Sequence, residues 1–186
     1  MIKIGLKKLI CCLLFVICAF SFIGCGYTTR SMISNKYKTI YITPFINRID
    51  FTKEEYVATK YRLYRPGMET DITNAVSDKY LFDGNLRPVK VDDSADLVLK
   101  GELMEFRKDP LTYNDNDDVT QYRVNLIVNL TLLDKKENKI VWQENNFTGL
   151  TEYFVTGTQS ISEATAINNA LADLARRVVE RTVEEW

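Results

Sequence analysis

No histidine occurs anywhere in the 186 residues. That single absence removes Ser-His-Asp and Cys-His catalysis and the usual histidine-rich zinc sites together. Cysteine is confined to the beginning of the chain: Cys11, Cys12, Cys18 and Cys25 are present, and none follows. An exported domain built from the rest has no internal disulfide and is held by its core alone. A basic excess is missing too. With the segment before Cys25 set aside, 21 basic residues stand against 25 acidic ones, a net charge of −4. Broad nucleic-acid binding needs a basic face, so no nucleic-acid partner is expected. No internal repeat or low-complexity tract appears. Nor is any hydrophobic run long enough to span a bilayer easily. Leu9 to Ile23 is 15 residues, interrupted by one serine, where a spanning helix needs about 20.

That short run carries a second message. Lys3, Lys7 and Lys8 precede it, no acidic residue occurs before Cys25, and polar sequence begins at once after Gly26. A basic start, a short apolar stretch and a small residue at the break describe a secretory signal, although an uncleaved anchor is the competing reading. The A-x-A of an ordinary cleavage site is absent. Phe22-Ile23-Gly24-Cys25 instead resembles a lipobox, with phenylalanine where leucine is usual. The resemblance implies cleavage after Gly24 and a diacylated Cys25 at the mature N-terminus, with Gly26, not aspartate, favouring outer-membrane sorting. Each buried methylene contributes about 0.8 kcal/mol, so two or three acyl chains would hold durably without a spanning helix. About 160 residues then remain, enough for one domain with a sizeable core.

Periodicity predicts the elements of that domain. Lys38 to Phe45 alternates as a first strand ended by Pro44. Asn47 to Gly67 mixes Phe51, Tyr56, Tyr61 and Tyr64 with Lys53, Lys60, Arg62 and Arg65. It reads as an amphipathic connection over one edge, or as a surface for a partner or lipid headgroup. Met68 to Tyr80 has helical spacing between Pro66-Gly67 and the turn Phe82-Asp83-Gly84-Asn85. Arg87 to Val91 reads as a short edge strand, and Ala95 to Phe106, Val119 to Leu133 and Ile140 to Leu150 as long strands. In the second of these Tyr122, Val124, Leu126, Val128, Leu130 and Leu132 form one apolar face, opposed by Arg123, Asn125, Asn129 and Thr131. So strict a period of two predicts a sheet with one buried and one largely polar face. Asp109 to Asp118 reads as a polar loop, and Asp134 to Lys139 as a hairpin loop. A last helix is expected behind a capping box at Ser160-Ile161-Ser162-Glu163, with Ala164, Ile167, Leu171, Leu174 and Val178 as its stripe. The fold class expected is α+β: a two-layer sandwich with a mixed or antiparallel sheet of about four strands packed on two helices.

Little in this chain points to catalysis. Asp115, Asp117 and Asp118 lack the glycine a calcium loop requires, and Thr156-Gly157-Thr158-Gln159-Ser160 lacks the lysine and spacing of a phosphate loop, so neither metal nor cofactor is expected. Carboxylates such as Glu102 and Glu105 could in principle work as a hydrolase pair, but charged residues on strand faces are ordinary surface. Arg176, Arg177 and Arg181 suit the negative end of the last helix as a solvated face, with a phosphate site as the alternative. Lys135, Lys136 and Lys139 gather in one hairpin, either to keep it solvated or to attract phosphates as point charges.

Several stretches in order then carry a family resemblance: Cys25-Gly26-Tyr27, Ile40-Tyr41-Ile42-Thr43-Pro44-Phe45, Ala95 to Gly101, the alternating strand Tyr122 to Leu133, and the alanine-rich closing helix. Together they resemble the lipopolysaccharide-assembly lipoproteins of the LptE family over nearly all of the mature chain. The resemblance implies a non-enzymatic outer-membrane lipoprotein, facing the periplasm, with three partners: the membrane through lipidated Cys25, the β-barrel LptD, which it plugs and helps assemble, and lipopolysaccharide. It makes Lys135, Lys136 and Lys139 candidate contacts to lipopolysaccharide phosphates. It also implies a signal peptide at residues 1–24, a lipidated linker at 25–37 and one LptE-like sandwich at 38–186. An envelope scaffold binding another periplasmic partner is the alternative from a different class.

Overall fold

Strict alternation over a long run dictates the centre of this structure, a computed structural model that describes residues 36–50 and 65–184. The described residues belong to one compact unit, Ser31–Trp186. Gly24, Cys25 and the aromatic residues Phe51, Tyr56, Tyr61 and Tyr64 lie outside the described residues, so the expectations placed on them have no structural counterpart.

The elements in chain order are β1 (Thr39–Ile42), β2 (Ile46–Asn47), α1 (Met68–Asp83), β3 (Arg87–Val89), β4 (Leu97–Tyr113), β5 (Val119–Asp134), β6 (Lys139–Phe154) and α2 (Glu163–Glu184). The sheet order is β3-β1-β4-β5-β6, with β2 also on β4. β1 runs parallel to β3 and β4, whereas β4, β5 and β6 form an antiparallel meander. The α+β sandwich with two helices on a mixed sheet is as expected, with six strands where about four were. The additional pieces are the two-residue β2 and the three-residue edge β3. Pro44 has no N–H for the ladder, so the first strand stops at Ile42 and the chain rejoins β4 two residues after the proline.

Val124, Leu126, Val128, Leu130 and Leu132 are all buried under the helices. In β4, Leu97, Leu99 and Leu103 share that face until a bulge between Leu103 and Glu105 shifts the phase and turns Phe106 inward. α1 buries Met68, Ile72, Val76 and Tyr80 at four-residue intervals, and ends where Gly84, at φ 78°, returns its N–H to Tyr80 O. Tyr80 Oη meets Thr182 Oγ1 at 2.6 Å, joining the two helices inside the core.

Three expectations need correction. Asp109 to Tyr113 is not loop: β4 continues through Pro110 to Tyr113, leaving only residues 114–118 as the turn. β2 ends beside Leu103, and among the described residues no strand pairs with β4 on that edge at Pro110, the kind of position where proline is tolerated. β6 likewise runs on past Leu150 to Phe154, opposite Gln121. The cap of α2 lies two residues later than the capping box suggested. Ser162 Oγ accepts the Thr165 N–H at 3.1 Å, while Ser160 N–H is spent on Gly157 O. Ala164 is therefore exposed, and Ala166, Ala170 and Ala175 join the buried stripe instead. Ser162→Ala is expected to cost about 1 kcal/mol in chemical denaturation and Ser160→Ala close to nothing. A reversed order would move the cap back to Ser160.

Candidate functional site

Two features of the sandwich stand apart from its core: the entry point of the chain and the sheet face that carries no helix. The entry point is built on Asp134, which continues the even-numbered apolar phase of β5 and so points inward. Its side chain is 3% exposed. Tyr37 Oη donates to Asp134 Oδ2 at 2.7 Å, and the N–H groups of Lys136 and Glu137 donate to Oδ1 at 2.9 and 3.0 Å. Lys36 reaches the same carboxylate at 3.4 Å and Glu137 at 3.0 Å. One strand away, Asp96 Oδ2 accepts the N–H groups of Lys38 and Thr39 at 2.8 and 3.1 Å, and Lys136 Nζ meets Asp96 Oδ1 at 2.6 Å. Two carboxylates thus clamp residues 36–39 to the start of β4 and to the β5–β6 turn.

Burial alone would raise the pKa of Asp96. The Lys136 ammonium, the two backbone N–H groups and the Thr39 hydroxyl outweigh it and hold the carboxyl at about 2. Burial acts on Asp134 in the same sense and is outweighed by Tyr37, Glu137 N–H, Lys36 and Lys136 N–H, which leave it below the ordinary carboxylate range.

The three hairpin lysines all lie at this clamp. Lys136 pairs with Asp96, and Lys135 with Asp92 and Asp93 at 3.1 and 3.5 Å. Lys139 opens β6 opposite Asp134 and lines a cleft of about 160 Å³ together with Lys36 and Glu137. The sequence did not single out Asp96, Asp134 or Tyr37. The available signal was an acidic residue in the apolar phase of β5, which demands partners wherever the strand is covered.

The other feature is the open face. Register places Lys100 opposite Thr131 and Glu102 opposite Asn129, with Gln143 beyond Thr131 on β6. With Thr43 and Asn145 they line a groove of about 450 Å³. Its rim carries the Arg48–Glu102 pair at 3.2 Å and the half-exposed Ile46. Further along the same face, charge is neutralised within the sheet: Arg107 with Asp109 at 3.0 Å, Arg123 with Glu152 at 2.6 Å, and Asn125 donating to Asp109 at 2.6 Å. The strands also outrun the helix that covers them. Sixteen residues of β5 extend roughly 50 Å, whereas the 22 residues of α2 cover roughly 33 Å. The β4–β5 hairpin therefore projects, with Tyr113 exposed at its tip.

Glu102 and Glu105, the candidate hydrolase pair, are held by different arginines, Arg48 and Arg107. Among the described residues no group of three or more Cys, His, Asp and Glu side chains could hold a metal ion. The three arginines of α2 also differ from a shared solvated face. Arg176 is exposed and paired with Asp173 and Glu180, but Arg177 donates to Thr148 O over the Phe147 ring. Arg181 meets Glu144 at 3.0 Å above the Trp142 ring. These two pin the last turns of α2 to β6.

A family model described as lipopolysaccharide-assembly, LptE, matches residues 37–182, from the clamp tyrosine to the threonine that meets Tyr80. The chain belongs to the LptE family. Comparison with curated protein sequences finds no match. Among solved structures, a DUF330 protein from Xanthomonas campestris is similar at 12% identity and TM-score 0.52, covering 79% of this chain and 84% of that one. A hypothetical protein from Chlamydia trachomatis gives 13% and 0.50, over 78% and 95%. Lipoprotein B from Nitrosomonas europaea gives 12% and 0.50, over 86% and 88%. At such identities these likenesses concern the fold alone. LptE membership assigns the chain to lipopolysaccharide assembly, and the clamp and the open sheet face are what an LptE-family sandwich of this sequence offers to its surroundings.

Proposed function

We propose that this LptE-family chain is a periplasm-facing outer-membrane lipoprotein, held by acylated Cys25. In this reading it plugs and helps assemble the β-barrel LptD and assists lipopolysaccharide into the outer leaflet, without catalysing a reaction. The observation that carries the reading is the segregation of the two faces. Both helices cover one side of the sheet, and the other side is a polar surface on which most charges are paired and Lys100 is exposed, suited to lie against the wet inner wall of a barrel. A projecting β4–β5 hairpin lengthens that surface beyond the core.

Extraction of the membrane-bound protein with detergent, followed by affinity capture and mass spectrometry, tests the partner. A heat-modifiable barrel of LptD size is expected in the eluate, and loss of surface lipopolysaccharide on depletion. A soluble periplasmic partner with no barrel would favour an envelope scaffold instead, and intact surface lipopolysaccharide would end the LptE-like reading of the role.

The proposed phosphate contacts are Lys135, Lys136 and Lys139. A lipopolysaccharide phosphate would compete with Asp96 for Lys136 and with Asp92 for Lys135, whereas Lys139 makes no ion pair among the described residues. Lys139→Gln, which removes the charge without adding a carboxylate beside Asp134 and Glu137, is therefore expected to weaken lipopolysaccharide binding by roughly fivefold, about 1 kcal/mol. Unchanged binding after reversal of all three lysines would exclude them.

A further inference from the structure

The end of the domain that receives the anchor chain also bears the most exposed apolar side chains among the described residues. Phe82 is 85% exposed and Leu81 69%, both in the last turn of α1. Gly84 stops the helix there, and the chain returns at once to Arg87, whose N–H donates to Lys38 O at 2.9 Å. Phe82 is thus only a few residues from the strand that the clamp holds. Val91 and Ile140, exposed at 60% and 49%, belong to the same end. One precedes the turn bearing Asp92, which Lys135 meets; the other follows Lys139, the partner of Asp134 across the hairpin.

Lys79 Nζ lies 5.5 Å from the centre of the Phe82 ring, the pairing of an aromatic with a lysine found where proteins meet a lipid interface. Phe82 also borders a groove of about 820 Å³ between α1 and α2, with Ala75, Leu171 and Ala172 among its walls. Ten residues, Gly26 to Asn35, separate Cys25 from Lys36, a tether of about 35 Å at full extension. That length keeps this end within reach of any bilayer in which Cys25 is anchored.

We infer that this end of the domain docks on the bilayer surface itself, with Leu81 and Phe82 entering the lipid interface beside the anchor. The inference rests on the reading that Cys25 is lipidated. Its driving force is apolar burial; several cations at this end are held by carboxylates, Lys36 by Asp134 and Glu137, Lys136 by Asp96 and Lys135 by Asp92, while Lys79 beside Phe82 and Lys139 make no ion pair among the described residues and add a smaller attraction. Docking accordingly persists at a low fraction of anionic lipid and is strengthened only modestly by a higher one.

The lipidated, mature protein reconstituted without a barrel, in vesicles of phosphatidylethanolamine and phosphatidylglycerol, provides the test. Cys25 is acylated and no cysteine follows it, so Leu81→Cys or Tyr113→Cys supplies a lone thiol for an environment-sensitive fluorophore. The probe at position 81 is expected to shift to the blue and to be quenched by acyl-chain nitroxide lipids. The probe at 113 should do neither. Adding Phe82→Ser should reverse the shift at 81, and lowering the phosphatidylglycerol fraction should not abolish it. A water-like probe at 81 in protein that carries a palmitate label overturns the docking while leaving the anchor intact. A shift that appears only once a barrel is added assigns the patch to a protein and overturns it equally. Absence of both palmitate label and vesicle association overturns the lipoprotein reading, and the docking with it.

Discussion

Replacing Gly149 by valine is expected to destabilise the domain by about 3 kcal/mol, a large share of the roughly 5–15 kcal/mol that holds a domain of this kind together. Gly149 is buried on β6 opposite Leu126. A Cβ at this position would lie 2.6 Å from Leu174 Cα and 2.8 Å from Leu174 N. Both are backbone atoms of α2, so no rotamer change makes room and the whole helix has to move. That helix is tied down on either side of the contact, by Asp173 to Leu150 N–H at 3.0 Å and by Arg177 to Thr148 O. Gly149→Ala should therefore cost about 2 kcal/mol, and Leu174→Ala should not rescue it. Gly101 is the useful contrast, since the three atoms nearest to a Cβ there all belong to the Phe45 ring. A ring can rotate away where a helix backbone cannot, so Gly101→Ala should be milder. Urea midpoints decide the matter: a Gly149→Ala protein within about 0.5 kcal/mol of the parent would show that α2 is free to shift.

Asp134→Ala should cost roughly 2–3 kcal/mol, because it strands a buried tyrosine hydroxyl and two N–H groups together. Asp134→Asn retains an acceptor and should lose less. The local signature is faster amide exchange at Lys136 and Glu137 and earlier proteolysis near Lys36, even before global stability changes. The pH dependence follows from the sign of the shifts. Both clamp carboxyls titrate lower in the folded protein than in the unfolded chain, Asp96 at about 2. Their stabilisation is fully present above the ordinary carboxylate range near about pH 4, and is lost as pH falls from there through about 2. Acid should therefore loosen the entry segment first, and Asp96→Asn with Asp134→Asn should flatten the curve below about pH 4. A double variant as acid-sensitive as the parent would move the weak point elsewhere in the fold. The clamp matters for the proposed role because residues 36–39 join the anchor to the domain.

Much of this architecture was legible from residue spacing. The twofold period of β5 specified a strand with one buried face, and the polar residues on its other phase marked the surface that the helices leave open. The fourfold spacing of Met68, Ile72, Val76 and Tyr80 specified α1, and Gly84 its end. The lack of histidine and of a basic excess narrowed the chemistry through composition alone. These properties depend on near neighbours in the chain or on simple counts, and a sequence displays them directly.

What the tertiary structure alone decided depends on partners far apart in sequence. Pro110 and the polar residues around it look like loop until β5 supplies a ladder along them. Lys135 and Lys136 look like free charge until Asp92 and Asp96, some 40 residues earlier, meet them across the sheet. Arg177 and Arg181 look like solvent-facing ends of a helix dipole until β6 presents a carbonyl, a carboxylate and two aromatic rings. The strand order that places β1 between β3 and β4 likewise has no signature in local periodicity. In each case the side chain's own character was plain, but its energetic role was set by a contact that only the assembled fold creates.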